Sequence, residues 1–159
     1  MLEQDFEQSV GYWAHMLSRA FERALNEELK PLGITLRQCQ VLGWLALASE
    51  LTQAQLAERL RIEPPTLVRI LDRMERVGWI ERHPDAEDRR KKLIRATRRV
   101  RPLWERIMTC IRGVRARATA GIEADDLATA RAVLGRMQQN LQAEQPACER
   151  VKAERARVP

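Results

Sequence analysis

The stretch Leu51–Thr97, LTQAQLAERLRIEPPTLVRILDRMERVGWIERHPDAEDRRKKLIRAT, decides the fold. Thr52 is a strong N-cap ahead of a short helix that ends near Leu60. The pair Pro64-Pro65 suits the first turn of a second helix, where a missing N–H costs little, and Gly78 suits its end. The stretch therefore predicts two helices joined by a tight turn, followed by an extended segment.

The extended segment predicts a β-hairpin. Residues 79–83 and 93–97 have the pattern of short paired strands, and residues 84–92 form the loop between them. The tip of that loop gathers one acidic and four basic side chains: Asp88, Arg89, Arg90, Lys91 and Lys92. Across residues 89–101 there are eight basic residues and no acidic one. We expect Asp88 to shape the tip through hydrogen bonds to nearby N–H groups, and the basic residues to attract a polyanion.

The second helix separates its side chains into two faces at about 100° per residue. Its apolar face holds Leu67, Ile70, Leu71, Met74 and Val77. Its outward face holds Pro65, Thr66, Arg69, Arg73 and Arg76. An α-helix fits the DNA major groove, and arginine pairs with a guanine edge. For such a helix taken alone, the alternative is a solvent-exposed face whose arginines form ion pairs with Asp72. The basic hairpin that follows favours DNA binding instead.

Position along this helix divides the outward residues by role. Residues near the N-terminus of a groove-reading helix reach the bases first, so Pro65, Thr66 and Arg69 are candidate base contacts. Arg73 and Arg76 lie further along and are candidate phosphate contacts.

Amphipathic helices are predicted on both sides of this segment. Apolar residues recur at helical spacing over residues 5–30 and again over about 99–145, with Gly121 as a break. Another helix is predicted after Thr35, a residue that suits its N-cap. The wide apolar stripes of the terminal helices exceed what a monomer can cover, so we expect a homodimer, with an intramolecular bundle as the alternative. Residues 146–159 form a charged tail that we expect to be disordered.

Composition narrows the classes of function. The 159-residue chain has a net charge of +6, which suits a polyanionic partner. Its three cysteines lack a C-x-x-C pattern, its N-terminus is unlike a signal peptide, and no apolar run approaches a membrane span. We expect a cytoplasmic, nucleoid-associated protein without metal or cofactor. The two histidines, His15 and His83, are far apart and no common catalytic motif occurs, so an enzyme is not expected.

Two motifs resemble those of the MarR-type winged-helix regulators, most of all their SlyA-like branch. The sequence IEPPTLVRILDRME at residues 62–75, followed by Gly78, is similar to the family's recognition helix. The sequence DRRKKLIRAT at residues 88–97 is similar to its wing, with the D-x-R signature at Asp88 and Arg90. After the wing, family members often have Thr-Glu-x-Gly, where this chain has Thr97-Arg98-Arg99-Val100.

The resemblance implies a mainly α (α+β) winged helix-turn-helix fold over residues 5–145. The implied parts are a DNA-binding lobe at 34–98, a helix-turn-helix at about 53–76, a wing at 79–97, and dimerisation helices at 5–32 and 99–145. The implied function is that of a homodimeric regulator, a repressor by expectation, of a pseudo-palindromic operator in double-stranded DNA. By position, Arg69 matches the family's base-contacting arginine and Arg90 the wing arginine that enters the minor groove.

Many members of the family respond to small aromatic acids or phenols, which implies a candidate ligand pocket. An aromatic wall with one cation would come from Tyr12, Trp13, His15, Arg19 and Trp44. Taken singly, each of these is better explained as a core or surface residue.

Two alternatives stay open for the function. One is a winged-helix protein-interaction module without specific DNA binding. The other is a regulator that senses oxidants through a cysteine. Against the oxidant-sensing alternative, we expect Cys39 and Cys110 to be buried and inert. We expect Cys148 to be exposed in the tail.

Overall fold

The computed structural model describes residues 8–85 and 92–143. The chain divides into two compact units, Met1–Ala116 and Arg117–Pro159. The helices are α1 (Val10–Leu29), α2 (Leu36–Ala48), α3 (Gln53–Leu60), α4 (Pro64–Arg76), α5 (Arg101–Ala118) and α6 (Ala124–Ala143). The strands are β1 (Glu50–Thr52), β2 (Ile80–Pro84) and β3 (Lys92–Ala96), and short 3-10 turns lie at Lys30–Leu32 and Arg98–Val100.

Local capping fixes where the helices begin. Ser9 caps α1, so the described helix begins at Val10 rather than near residue 5. Thr35 caps α2 and Thr52 caps α3, each in a reciprocal capping box with the glutamine three residues on. Both predicted threonine caps are confirmed. These caps satisfy N–H groups that the first helical turn leaves without partners.

The three strands form one antiparallel sheet in the order β1-β3-β2. The predicted hairpin is present, with each strand shifted by one residue from the expected bounds. Trp79 is excluded from β2 because its N–H donates to Met74 O at 2.9 Å and so closes the end of α4. Strand β1 was not predicted, since its three residues become a strand only by pairing with β3.

The core of the first unit lies between the helices and the inner face of this sheet. Residues from α1, α2, α3, α4, the sheet and α5 meet in one buried cluster. The side chains that are fully covered include Leu29, Leu56, Leu67, Leu71, Met74, Ile94 and Ile107. Because each such burial contributes about 1.5–3 kcal/mol, this cluster holds α4 firmly on the sheet.

Helices α1 and α6 each leave several large apolar side chains in solvent. On α1, Trp13 is 58% exposed and Leu17 is 52% exposed. On α6, Leu134 is 43% exposed and Leu141 is 75% exposed. Each of these helices therefore carries apolar surface that its own unit does not cover.

Within residues 8–85 and 92–143 we find no helix with the length and hydropathy that a bilayer crossing requires.

Candidate nucleic-acid interface

Helix α4 presents its outward residues to solvent. Its apolar side is fixed by Leu67, Leu71 and Met74, each 0% exposed. The opposite side exposes every residue that the sequence placed there: Pro65, Thr66, Arg69, Arg73 and Arg76. Val77, which the sequence placed on the apolar face, is instead 52% exposed, because the helix ends at Arg76 and Val77 is only its C-cap. We call Arg69, Arg73 and Arg76 the arginine row.

The arginine row has no acidic partner among the residues that the structure describes. The neighbouring carboxylates of α4, Asp72 and Glu75, pair with Arg82 of β2 instead. Arg82 Nη2 donates to Asp72 Oδ1 at 2.7 Å, and Arg82 Nη1 donates to Glu75 Oε2. Asp72 therefore does not neutralise the arginine row, as the alternative interpretation of this helix required. The positive charge of the row stays available to a polyanion.

A shallow notch of about 220 Å³ separates the start of α2 from α4. Arg69 and Arg73 line one side of it, and Thr35 and Gln38 line the other. The Gln38 side chain is held there because its Oε1 accepts from the Thr35 N–H at 3.0 Å. The positive end of the α2 dipole and two guanidinium groups thus border the same notch, which favours an anion.

Strands β2 and β3 form the base of the predicted wing. Their register runs from Ile80 opposite Ala96 to Pro84 opposite Lys92, so residues 85–91 connect them. Lys92 is exposed at the loop end of β3. The remaining predicted tip residues lie outside the described residues: Asp88, Arg89, Arg90 and Lys91.

Ion pairs divide the basic run that follows the loop. Arg95 Nε donates to Glu81 Oε1 on the neighbouring strand at 2.5 Å. Arg101 Nε lies 3.5 Å from Glu105 Oε1, one turn along α5. Within the described part of this run, residues 92–101, at least two arginines already have carboxylate partners, so this part is not a uniform basic surface.

The histidine of the hairpin connects the outer strands of the sheet. His83 Nε2 lies 3.1 Å from Glu50 Oε2, although the two are not aligned for a hydrogen bond. Since His83 is on β2 and Glu50 is on β1, the contact spans β3. The His83 side chain therefore contacts another residue of the same sheet, which gives it a structural role.

The end of α4 is tied to the end of β3. Gly78 leaves the helix with φ of +77°, and Thr97 Oγ1 donates to Gly78 O at 2.5 Å. Arg99 lies over the glycine, with its Nη1 3.1 Å from the position that a Cβ on Gly78 would take. The segment in which this chain departs from the related motif thus packs against the end of α4.

The residues predicted to build a ligand pocket lie on two helices. Four are on α1: Tyr12, Trp13, His15 and Arg19. The rings of Tyr12 and Trp13 meet edge-on with centroids 5.5 Å apart, and the latter is exposed. Trp44 is on α2, with the Arg59 guanidinium of α3 over its ring at 5.1 Å from the centroid. None of the five lines the apolar cavity described next.

An apolar cavity of about 330 Å³ opens between α1, α2 and α5. Its lining includes Phe21, Leu25, Cys39, Trp104, Ile111 and Arg115. It therefore combines aromatic rings with a cation, the features expected of a site for an aromatic acid. Sequence reasoning missed it because the lining comes from three helices that are distant in the chain. The available signal was the helical spacing of Trp104 and Ile111, which predicted packing rather than a cavity.

The two described cysteines are free thiols. Burial, together with the nearby Cys110 thiol, raises the pKa of the Cys39 thiol from 9.0 to about 11. Cys110 is half-buried, and its Sγ donates to Glu28 O at 3.5 Å. Cys39 is therefore protonated and unreactive at neutral pH. Cys148 lies outside the described residues.

Comparison with known proteins places this geometry in a family. The MarR family model matches residues 32–91. The chain is 34% identical to the transcriptional regulator PA3341, over 86% of this chain and 100% of that chain, with a TM-score of 0.76. It is 31% identical to wild-type apo MarR from E. coli, over 81% of this chain and 96% of that chain, with a TM-score of 0.73. It is 30% identical to a mutant MarR from E. coli complexed with operator DNA, over 85% of this chain and 99% of that chain, with a TM-score of 0.74. The winged-helix fold, the identity and the coverage together show that the chain belongs to the MarR family of transcriptional regulators.

Proposed function

We propose that the chain is a homodimeric repressor that binds a pseudo-palindromic operator and releases it when a small aromatic acid or phenol binds. One observation carries the proposal. The arginine row is exposed and has no acidic partner among the described residues, while Leu67, Leu71 and Met74 on the opposite side of the same helix are fully buried. A rigid helix with a row of uncompensated arginines suits the major groove of DNA. The solved complex of a related MarR with operator DNA supports this use of the fold.

Helix α4 divides its contacts along its length. Pro65, Thr66 and Arg69 are nearest its N-terminus and are assigned to base edges. Arg73 and Arg76 are assigned to phosphates. The notch beside Arg69 and Arg73 supports a phosphate there, because the start of α2 also borders it.

The hairpin supplies the second set of contacts. Lys92, exposed at the end of β3, is assigned to the phosphate backbone. Asp88 is assigned to shaping the loop, Arg90 to the minor groove, and Arg89 and Lys91 to backbone charge. These assignments come from the sequence alone, apart from that of Lys92.

Apolar surface on the terminal helices supports a second copy as partner. On α1, Val10, Trp13, Met16 and Leu17 are all exposed. On α6, Val133, Leu134 and Leu141 are all exposed, as is Ile122 shortly before the helix begins. Two copies would cover these surfaces, and a two-fold dimer would match two half-sites about one helical turn apart. Residues 5–32 and 99–145 are accordingly proposed as the dimerisation regions.

The apolar cavity is the better candidate for the effector site. Its volume of about 330 Å³ accommodates a single-ring compound, with Trp104 as an aromatic wall and Arg115 as the cation for a carboxylate. The α1 residues predicted earlier remain a second candidate, since Trp13, His15 and Arg19 are exposed. A ligand between α2 and α5 would act on the helix whose start borders α4.

The other two candidate functions have weaker support. A protein-interaction module would have no need of an uncompensated arginine row. An oxidant sensor needs an accessible thiolate, whereas burial raises the pKa of Cys39. Catalysis has no support either, because the family comprises transcriptional regulators.

Selection from a randomised duplex library tests the proposal. The full chain should enrich an inverted repeat with half-site centres about ten base pairs apart, and light scattering of the complex should give two chains per duplex. Enriched duplexes without a repeated half-site would contradict the proposed function. Binding that modest salt abolishes equally for every DNA sequence, as measured by gel shift, would also contradict it and would favour the protein-interaction module.

A further inference from the structure

Arg82 links strand β2 to helix α4. Its neighbours on the same side of the sheet, Ile80 and the facing Ile94, are buried in the core. The Arg82 side chain is only 16% exposed and ends on two carboxylates of α4. The hairpin is thus attached to the helix by a charged side chain as well as by apolar packing.

The two carboxylates suit a guanidinium bridge. Asp72 and Glu75 are three residues apart, so they lie one above the other along α4. Arg82 uses a separate nitrogen for each of them, Nη2 for Asp72 and Nη1 for Glu75. Because the guanidinium is planar and directs its N–H groups rigidly, two such bonds restrict both the distance and the angle between α4 and β2.

Another attachment lies where the chain leaves the helix. Gly78 turns the backbone with φ of +77°, and its carbonyl accepts from Thr97. This attachment fixes where β2 begins relative to α4, but it lies at the start of the strand only. Arg82 holds the strand at a second point, four residues further along. Two attachment points fix the direction of the hairpin relative to α4.

We infer that Arg82 is a positioning residue for DNA binding. It holds strands β2 and β3 in one direction from α4, so that Lys92 at the end of β3 and the arginine row contact one duplex together. This role rests on the proposed function, because it is a role within a DNA complex. The guanidinium of Arg82 is paired with Asp72 and Glu75, so Arg82 affects DNA binding through these two residues and not by contacting DNA.

A purely electrostatic role makes the opposite prediction for the carboxylates. If Arg82 only cancelled negative charge on α4, then neutral residues at Asp72 and Glu75 would make the surface more positive and strengthen binding to any DNA. If Arg82 positions the hairpin, the same change releases it and weakens binding to the preferred duplex.

The test compares variants on the duplex that the wild-type protein selects from a randomised library and on a scrambled duplex of equal length. Positioning predicts that Arg82→Gln, and separately the double variant Asp72→Asn with Glu75→Gln, lower affinity for the selected duplex about tenfold, as for residues coupled in one network. On the scrambled duplex the double variant should bind at least as well as the wild type. Stronger binding of the double variant to the selected duplex would overturn the inference.

The outer face of the sheet provides matched controls. Arg95→Gln and, separately, Glu81→Gln each remove one exposed ion pair and leave the bridge from Arg82 to α4 intact. Arg95→Gln removes a positive charge, as Arg82→Gln does, and Glu81→Gln removes negative charge, as the double variant does. Their affinities for the selected duplex should stay within about threefold of the wild type, since exposed pairs contribute little. An equal loss in these controls would also overturn the inference.

Hydrogen exchange in the DNA-free protein separates this inference from the proposed function. Backbone amides of β2 and β3 should exchange about tenfold faster in Arg82→Gln than in Arg95→Gln, because local opening of the hairpin becomes easier. Equal exchange would overturn the role of Arg82 even in a protein that binds DNA specifically. A wild-type protein that selects no duplex would instead contradict the proposed function, and the exchange rates would still decide whether Arg82 holds the hairpin.

Discussion

The hydroxyl of Thr97 donates a 2.5 Å hydrogen bond to the carbonyl oxygen of Gly78. This bond joins the residue that follows β3 to the glycine that terminates α4. The helix that presents the arginine row and the hairpin that carries the basic loop are therefore connected at their common end. Changes at this connection are expected to affect stability before they affect any surface that faces DNA.

Thr97→Val should destabilise the protein by about 1 kcal/mol, because the variant keeps the shape of threonine but leaves the Gly78 carbonyl without its donor. Thermal denaturation measures the effect. Thr109→Val is the matched control, since the Thr109 hydroxyl lies on an exposed part of α5, where it donates to Glu105 O and accepts from Arg112 Nη2. Equal melting temperatures for the two variants would show that the bond to Gly78 contributes no stability.

Gly78→Ala should cost about 1–2 kcal/mol, because an L-residue with a positive φ is strained. The new Cβ would also lie 3.1 Å from Arg99 Nη1, which must then move. Gly113→Ala in α5, where nothing lies within 4 Å of the added carbon, should be neutral or stabilising. A Gly78→Ala protein that melts with the wild type would contradict the assignment of Gly78 as the helix terminator.

Cys39 should react slowly with iodoacetamide. Its pKa of about 11, raised chiefly by burial from 9.0, lowers the thiolate fraction about 100-fold at neutral pH. The folded protein holds this proton more tightly than the unfolded chain does. The associated stability is therefore complete below pH 9 and is lost as the pH rises through about 11.

Peptide mapping after timed alkylation checks this prediction. Labelling of Cys39 at pH 8 should be slow in the native protein and fast in urea. Rapid native labelling of Cys39 at pH 8 would contradict its burial and would revive the oxidant-sensing alternative.

Gly43→Leu should remove the response to an aromatic effector while preserving DNA binding. Gly43 lines the cavity, and a Cβ there would meet Trp104 Cη2 at 3.9 Å, which is ordinary contact. The larger leucine side chain would then fill space that a ligand needs. Ala46→Leu is the control, because Ala46 is exposed on the same helix and does not line this cavity.

The measurement is the affinity for the selected duplex during titration with benzoate, 2-hydroxybenzoate or phenol. At least one of them should weaken the wild-type complex and leave the Gly43→Leu complex unchanged. If the variant responds as the wild type does, the effector site lies elsewhere, and if no compound weakens the wild-type complex, the proposed release mechanism is wrong.

Local chemistry explains what the sequence could predict. The caps at Thr35 and Thr52 and the stop at Gly78 depend on residues within one or two turns, so the helix bounds of the central segment followed from the chain alone. The two faces of α4 followed from helical spacing. The prediction that Val77 lies on the buried apolar face was wrong, because helical periodicity does not show at which residue the helix ends.

Features that depend on pairing between distant segments were not predictable in the same way. Strand β1 exists only through its register with β3. The partner of Arg95 depends on the β2–β3 register, and the bridge from Arg82 to α4 depends on how the sheet packs on that helix. The apolar cavity requires three helices to be placed together.

The most direct test of the central claim compares Arg69→Ala with Arg95→Ala on the selected duplex over a range of salt concentrations. Both variants lose one arginine, but Arg69 lies in the exposed row and Arg95 is paired with Glu81. The account predicts that Arg69→Ala loses about 1–3 kcal/mol of binding free energy and relaxes sequence preference at one base pair of each half-site. It predicts that Arg95→Ala changes affinity by less than about 1 kcal/mol with sequence preference intact. Wild-type affinity and wild-type sequence preference in Arg69→Ala would contradict the assignment of α4 as the DNA-reading helix.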